Sequence, residues 1–264
     1  MDDSEIMTFV LSEKTIAAGY RVKEFVYIGS TNAEALANAQ TGEAGSVWYV
    51  TKDQRSGRGR RGREWSTQTG NLAATLLLIH DYSLEMAATL SFVAGLSLIE
   101  AVERLLPDTQ TRFQLKWPND VLADGAKLSG ILLESAILKD GRKALVIGIG
   151  VNVLHIPEGV PYAVSSLKDN GYSEGAEQLL QALAERFAVN FALWNDGQGL
   201  ETIRTHWLRH AARLGEVIRV QSGGETLEGV FSSIDAQGHL VLSLPQGRKQ
   251  TISAGEVFFG TETR

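Results

Sequence analysis

The chain has 264 residues, 44% of them hydrophobic, a formal net charge of −6 and no cysteine. That length can bury one large domain, or one large and one small. The lack of cysteine excludes disulfides, thiol catalysis and Cys-based zinc sites, and the acidic balance does not suit a protein that coats nucleic acid.

The acidic start, Met1-Asp2-Asp3-Ser4-Glu5, leads into no long apolar run. No apolar run of about 18 residues is read elsewhere, so neither a signal peptide nor a membrane span is expected and a cytoplasmic location is the default. Residues 1–19 carry no clear pattern and read as a leader. Tyr20–Ile28 alternates as a strand does. Thr31, with Glu34 three positions later, reads as a capping box and predicts a helix to about Gln40. Ser30, Thr31 and Asn32 serve capping in the simplest reading, but a helix start with spare polar groups is also a ready ligand site. Ser46–Val50 and Leu72–Ile79 read as strands. Ser83 should cap one long helix to about Leu106, with Leu84, Ala88, Phe92, Leu96 and Ile99 on a single buried face.

A short strand from Phe113 should end by Trp117, because Pro118 cannot donate to a ladder. Asn119 and Asp120 then fit either turn chemistry or a functional turn. Asp124-Gly125 signals a hairpin returning as Lys127–Glu134, a strand that holds Gly130. Ala144–Val153 is a near-continuous apolar run, as in a buried central strand. Gly148 and Gly150 bare one face of it, leaving room for a flat ligand or for a packed helix. Helices are predicted over about Ser173–Asn195 and Leu200–Arg213. From Leu214, five short strands between glycine turns predict a small SH3-like barrel, which divides the chain into domains 1–213 and 214–264.

Between the strands Ser46–Val50 and Leu72–Ile79 lies the densest signal, Gln54-Arg55-Ser56-Gly57-Arg58-Gly59-Arg60-Arg61-Gly62-Arg63-Glu64-Trp65. Glycine lets backbone N–H groups approach an anion, and arginine adds planar charged forks. From composition alone the stretch fits a solvated or nucleic-acid-binding surface as well as a small-anion site. Its place in an acidic chain favours a focused anion site. Like charges should keep such a loop mobile until an anion orders it.

Five motifs in order resemble those of the biotin–protein ligases: Gly29-Ser30-Thr31-Asn32, Gly57–Trp65, Lys116-Trp117-Pro118-Asn119-Asp120, Lys127-Leu128-Ser129-Gly130-Ile131-Leu132 and Gly148-Ile149-Gly150-Val151-Asn152. The resemblance runs from about residue 24 to the end. It implies an α+β fold shared with class II aminoacyl-tRNA synthetases, a mixed, mainly antiparallel sheet with helices on one face, plus the C-terminal barrel. It implies that biotin is activated with ATP and Mg²⁺ to biotinyl-5′-AMP and passed to a lysine of a biotin carboxyl carrier protein. By the same resemblance, Lys127 bridges the two anions with Arg58 and Arg60 as catalytic partners. Biotin would be held by Ser30, Thr31, Asn32, Gln54, Gly57, Arg58, Gly59, Arg60, Lys127, Gly130, Gly148 and Gly150. ATP would meet Arg60, Arg61, Arg63, Trp65, Lys116, Asn119 and Asn152, with Trp65 on the adenine and Asp120 on the metal. The residues before position 24 are too few for the winged helix-turn-helix of bifunctional members, so no DNA partner is expected. The oligomeric state stays open, a homodimer included. The rival readings are a lipoate–protein ligase and a nucleic-acid-binding module.

Overall fold

The computed structural model describes residues 9–259. Residues 1–8 of the expected leader, and the last five residues of the expected barrel domain, lie outside that range. Residues 9–19 are not a loose leader. Phe9 is fully buried, and Ser12 caps a short helix, α1 (Glu13–Ala17), by accepting from Thr15 N.

β1 (Arg21–Phe25) is followed by α2 (Thr31–Gln40) and β2 (Val47–Thr51), and β1 and β2 run parallel. A parallel pair needs a crossover, which α2 supplies. The basic loop forms a hairpin of its own, β3 (Gly57–Arg58) with β4 (Glu64–Trp65). β5 (Leu72–His80) rejoins the sheet antiparallel to β2. After α3 (Leu84–Ala88) and α4 (Leu90–Leu105) come β6 (Phe113–Lys116), β7 (Asp120–Ala123), β8 (Ala126–Ile137) and β9 (Lys143–Val151). The seven-stranded order is β1-β2-β5-β9-β8-β7-β6, antiparallel throughout except for β1 with β2. The β7–β8 turn takes positive φ at Asp124 (47°) and Gly125 (83°), as a two-residue primed turn requires.

Residues alternate between the two faces of the sheet. Trp48 and Val50 of β2 join the large core under α4, α5 (Ala176–Trp194) and α6 (Leu200–Arg209). Val47 and Tyr49 join a smaller core with Ala35 and Ala39 of α2. The long helices thus share one face, and α2 covers part of the other.

The single helix expected after Ser83 is broken at Thr89, whose hydroxyl donates to Met86 O and accepts from Trp194 Nε1. The break changes the register. Leu84 is 62% exposed, while Phe92, Leu96 and Ile99 are buried. The segment Leu84–Leu105 matches a membrane span in length and hydropathy, but its most apolar stretch is 72% buried within the protein, and α4 is a core helix. α6 stops at Arg209, short of the expected Arg213, because the chain turns to pair with β6: Leu115 N donates to His210 O, and Ala212 N to Leu115 O. β10 (Val217–Ser222), β11 (Glu225–Ile234), β12 (Leu240–Ser243), β13 (Lys249–Ile252) and β14 (Glu256–Phe258) form the SH3-like five-stranded sheet, ordered β13-β12-β11-β10-β14.

Candidate active site

Register brings the glycines together. Residues paired across neighbouring strands share a face. Asp120 pairs with Gly130, Gly130 with Gly150, and Gly150 with Ala73, giving one row of small side chains ending in a carboxylate. The next row is Leu132, Gly148 and Thr75. The result is a groove across the sheet, beside the start of α2. Trp65 lies in it. A Cβ at Gly150 would run into the Trp65 indole, and one at Gly130 would come within 3.0 Å of it. A Cβ at Gly148 would run into the Asn32 amide.

One end of the groove is polar and uncharged. Ser30, not Thr31, caps α2, its hydroxyl accepting from Ala33 N at 3.3 Å. Thr31 sits one position further in, so its groups are free to turn sideways. Its N–H and its hydroxyl both donate to Gln54 Oε1, at 2.9 and 3.0 Å. Gln54 is held in place by the Ile28–Gln54 bridge. The Thr75 hydroxyl, with one proton to give, lies 2.7 Å from Thr31 Oγ1 and 2.6 Å from Asn32 Oδ1. Ser30, Thr31, Asn32, Gln54 and Thr75 are all buried. Arg58 lines the same small pocket.

The other end is charged. Lys127 Nζ is 2.8 Å from Asp120 Oδ1, and both side chains are about one-fifth exposed (22% and 19%). The contact is an ion pair and not an aligned hydrogen bond, since that buried Oδ1 accepts none. Lys127 Nζ also lies 5.7 Å from the ring centroids of Trp65 and Tyr162. Arg60 reaches across to Asn119 Oδ1 and Gly255 O, both at 3.1 Å. Burial lowers the pKa of Arg60 and Asp120 opposes that shift, and the guanidinium remains a cation at neutral pH. Beyond Lys127 a cleft of about 450 Å³ opens between Tyr162 and the barrel residues Val257, Phe258 and Phe259.

The loop that joins the two ends is a formed hairpin, so its charges need not keep it open. Arg58 meets Glu134 at 3.0 Å, and Arg61 and Arg63 meet Glu256 at 3.3 and 2.6 Å. The Glu256 hydrogen bond raises the pKa of Arg63. Gly57 is required where the hairpin closes, because a Cβ there would run into Trp65 O.

Two family models match the chain: "Biotin/lipoate A/B protein ligase family" over residues 24–152, and "Biotin protein ligase C terminal domain" over residues 214–260. The chain is 44% identical over 237 residues to the biotin–[acetyl-CoA-carboxylase] ligase of Paracoccus denitrificans, covering 88% of this chain and 97% of that one. The chain belongs to the biotin protein ligase family. It is also 29% identical to the bifunctional ligase/repressor BirA of Bacillus subtilis, over 92% of this chain and 78% of that protein. Its fold matches the Aquifex aeolicus biotin protein ligase in complex with biotin and ATP, with a TM-score of 0.74, 26% identity, and coverage of 90% and 97%.

This ligase divides the expected site residues unevenly. Ser30, Thr31, Asn32, Gln54, Arg58, Gly148 and Gly150 line the pocket beside the start of α2. Arg60, Arg61, Arg63, Lys116, Asn119, Asp120, Lys127 and Gly130 line the charged side, and Trp65 borders both. Arg58 lines the first of these and Lys127, with which it was expected to act, lines the second. Trp65 lies on the glycine groove, where three strands leave a ring-wide gap. Gly57 shapes the hairpin, and Gly59 donates to Arg63 O within it. Asn152 is set apart: its amide faces the backbone oxygens of Ser165 (3.1 Å) and Lys127 (3.5 Å), pinning the segment that runs beside the start of β8. Lys116 lies 4.6 Å from the Phe259 ring centroid. Glu134, Glu256, Thr75 and Tyr162 were missed. A lone glutamate, threonine or tyrosine carries no local signal. Only strand register shows that Thr75 faces Gly148.

Proposed function

We propose that this ligase joins biotin to ATP, forming biotinyl-5′-AMP and pyrophosphate, and transfers the biotinyl group to a lysine of a biotin carboxyl carrier protein. The observation that carries this is the pairing of a pocket of buried, uncharged hydrogen-bonding side chains with a cationic cleft, joined by one glycine groove. Biotin's ureido ring is polar and uncharged, and it suits Ser30, Thr31 and Gln54. Its carboxylate then points toward Lys127.

Both reactants are anions, and two unit charges about 4 Å apart repel by roughly 4 kcal/mol at an effective dielectric of 20. Lys127 and Arg60 stand where that repulsion develops and stabilise the charge building on the phosphoryl group. Arg61 and Arg63 exchange Glu256 for phosphate oxygens. The residues fit Mg²⁺ in a limited way. Asp120 Oδ1 is a buried carboxylate oxygen that accepts no hydrogen bond, and no group of three or more metal-binding side chains occurs among the described residues. Mg²⁺ commonly takes one or two protein oxygens, with phosphates and waters completing its shell. Asp120 would hold it, and the ion would screen phosphate charge.

Trp65 and the hairpin keep water from the mixed anhydride until the carrier lysine attacks. The catalytic unit extends to Arg213 and the barrel begins at Leu214. A reaction that consumes ATP suits a cytoplasmic protein.

ATP–pyrophosphate exchange tests the reading. Biotin should stimulate exchange and lipoate should not. Lipoate-stimulated exchange without a biotin response would replace the reading with that of a lipoate ligase, and silence with both would remove it.

A further inference from the structure

Glu134 stands on β8, seven residues beyond Lys127, in the row that continues the pocket face past Leu132. One of its oxygens, Oε2, accepts two hydrogen bonds from parts of the chain far apart in sequence. Asn32 Nδ2, in the first turn of α2, donates at 2.8 Å, and Arg58 of the basic hairpin donates at 3.0 Å. The same Asn32 nitrogen also faces Leu132 O at 3.3 Å. With two acceptors on that side, the Asn32 amide is fixed with its oxygen toward Thr75. A line of polar groups within hydrogen-bond distance therefore runs from Gln54 through Thr31, Thr75 and Asn32 to Glu134 and Arg58, the Thr75 hydroxyl donating to Thr31 or to Asn32 but not to both.

We infer that Glu134 is a positioning residue for the biotin pocket, tying the Arg58 hairpin to the start of α2 so that the hairpin closes over the ureido end of the ligand. The inference rests on the biotin reading above. Glu134 itself touches neither reacting group; it acts through Arg58 and Asn32. Its carboxylate supplies charge to Arg58 and fixed direction to Asn32, and these can be removed separately. Glutamine keeps an oxygen for Asn32 but loses the charge. Alanine loses both.

The experiment is a double-mutant cycle on biotin affinity, measured by calorimetry with Glu134→Ala, Arg58→Ala and the double variant, and repeated with Glu134→Gln. Each single variant should weaken biotin by about three- to tenfold, the range of one or two hydrogen bonds, and the double variant should be weaker by clearly less than the product. For Glu134→Ala in steady state, KM for biotin should rise while kcat and KM for ATP stay near those of the unaltered protein. Glu134→Gln should fall between the unaltered protein and Glu134→Ala. Unchanged biotin affinity in Glu134→Ala, strictly multiplicative losses, or a fall in kcat at constant KM would each overturn the assignment. If Glu134→Ala does not fold, the cycle with Glu134→Gln decides. Failure of the unaltered protein to bind biotin would instead remove the reading on which the inference stands.

Discussion

Gly148 and Gly150 sit two residues apart on one strand face, yet alanine should act differently at each. At Gly150 the new methyl group meets the Trp65 indole, a side chain on a surface hairpin that can swing aside. At Gly148 it meets Asn32, which is 5% exposed and hydrogen-bonded on both sides. Overpacking against a fixed neighbour typically costs about 1–3 kcal/mol. Gly148→Ala should therefore lower stability in urea unfolding by about that much, while Gly150→Ala should leave stability within about 0.5 kcal/mol and weaken biotin. Equal stability losses would contradict the distinction. Lys127→Ala should abolish biotin-dependent exchange in a folded protein. It also strands the Asp120 carboxylate, for a stability loss of roughly 1–3 kcal/mol; full activity would remove Lys127 from its role. The glycines, Lys127 and Asp120 were legible because motif and chemistry coincide in short stretches. Glu134 and Glu256 were not, because their meaning lies in arginines 76 and 193 residues away.

The basic hairpin, β3 with β4, shows what an element adds to its residues. Its tip turns tightly through Arg61 (φ 57°) and Gly62 (φ 73°). Three of its arginines are tied to two glutamates on different strands. These pairs are half-exposed, so each is worth little alone, and together they set where the hairpin rests. Glu256→Ala releases Arg61 and Arg63 at once. Trypsin, which cuts after arginine, should then cleave within residues 58–63 several-fold faster than in the unaltered protein, and saturating ATP should restore protection by replacing the lost carboxylate. Cleavage at an unchanged rate would mean that Glu256 does not hold the hairpin. Element boundaries were the least legible part of the sequence. Thr31 and Glu34 have the spacing of a capping box, but Ser30 one position earlier is a capping residue type too and takes the role, while Thr31 turns to the buried Gln54. The break at Thr89 was hidden because both halves are apolar, and the Thr89 hydroxyl that marks it is held by a hydrogen bond from Trp194, 105 residues on.

At the scale of the molecule, the two sheets were legible as separate patterns, but their union was not. One hydrophobic core runs through both. It includes Phe92, Trp117 and Trp207 from the main body with Ile218, Phe231, Ile234 and Leu240 from the barrel. Phe92 and Trp207 pack edge-to-face at 5.4 Å, and a Cβ at Gly238 would run into the Phe92 ring. Trp117 Nε1 donates to Gly238 O at 3.0 Å, and Arg204 reaches Ile234 O at 3.3 Å. Trp117 lies within the Lys116–Asp120 motif, so the turn that carries Asn119 and Asp120 is braced by the barrel. A shared core predicts a single unfolding event, with calorimetric and van't Hoff enthalpies equal. Trp117→Phe keeps most of the apolar volume and leaves Gly238 O without its donor, for a loss of about 1–3 kcal/mol. Scanning calorimetry should show one endotherm for the unaltered protein, shifted to lower temperature in the variant, and the variant should lose biotin-dependent exchange before it unfolds. Two resolved endotherms in the unaltered protein would mean that the barrel unfolds on its own and does not brace the site.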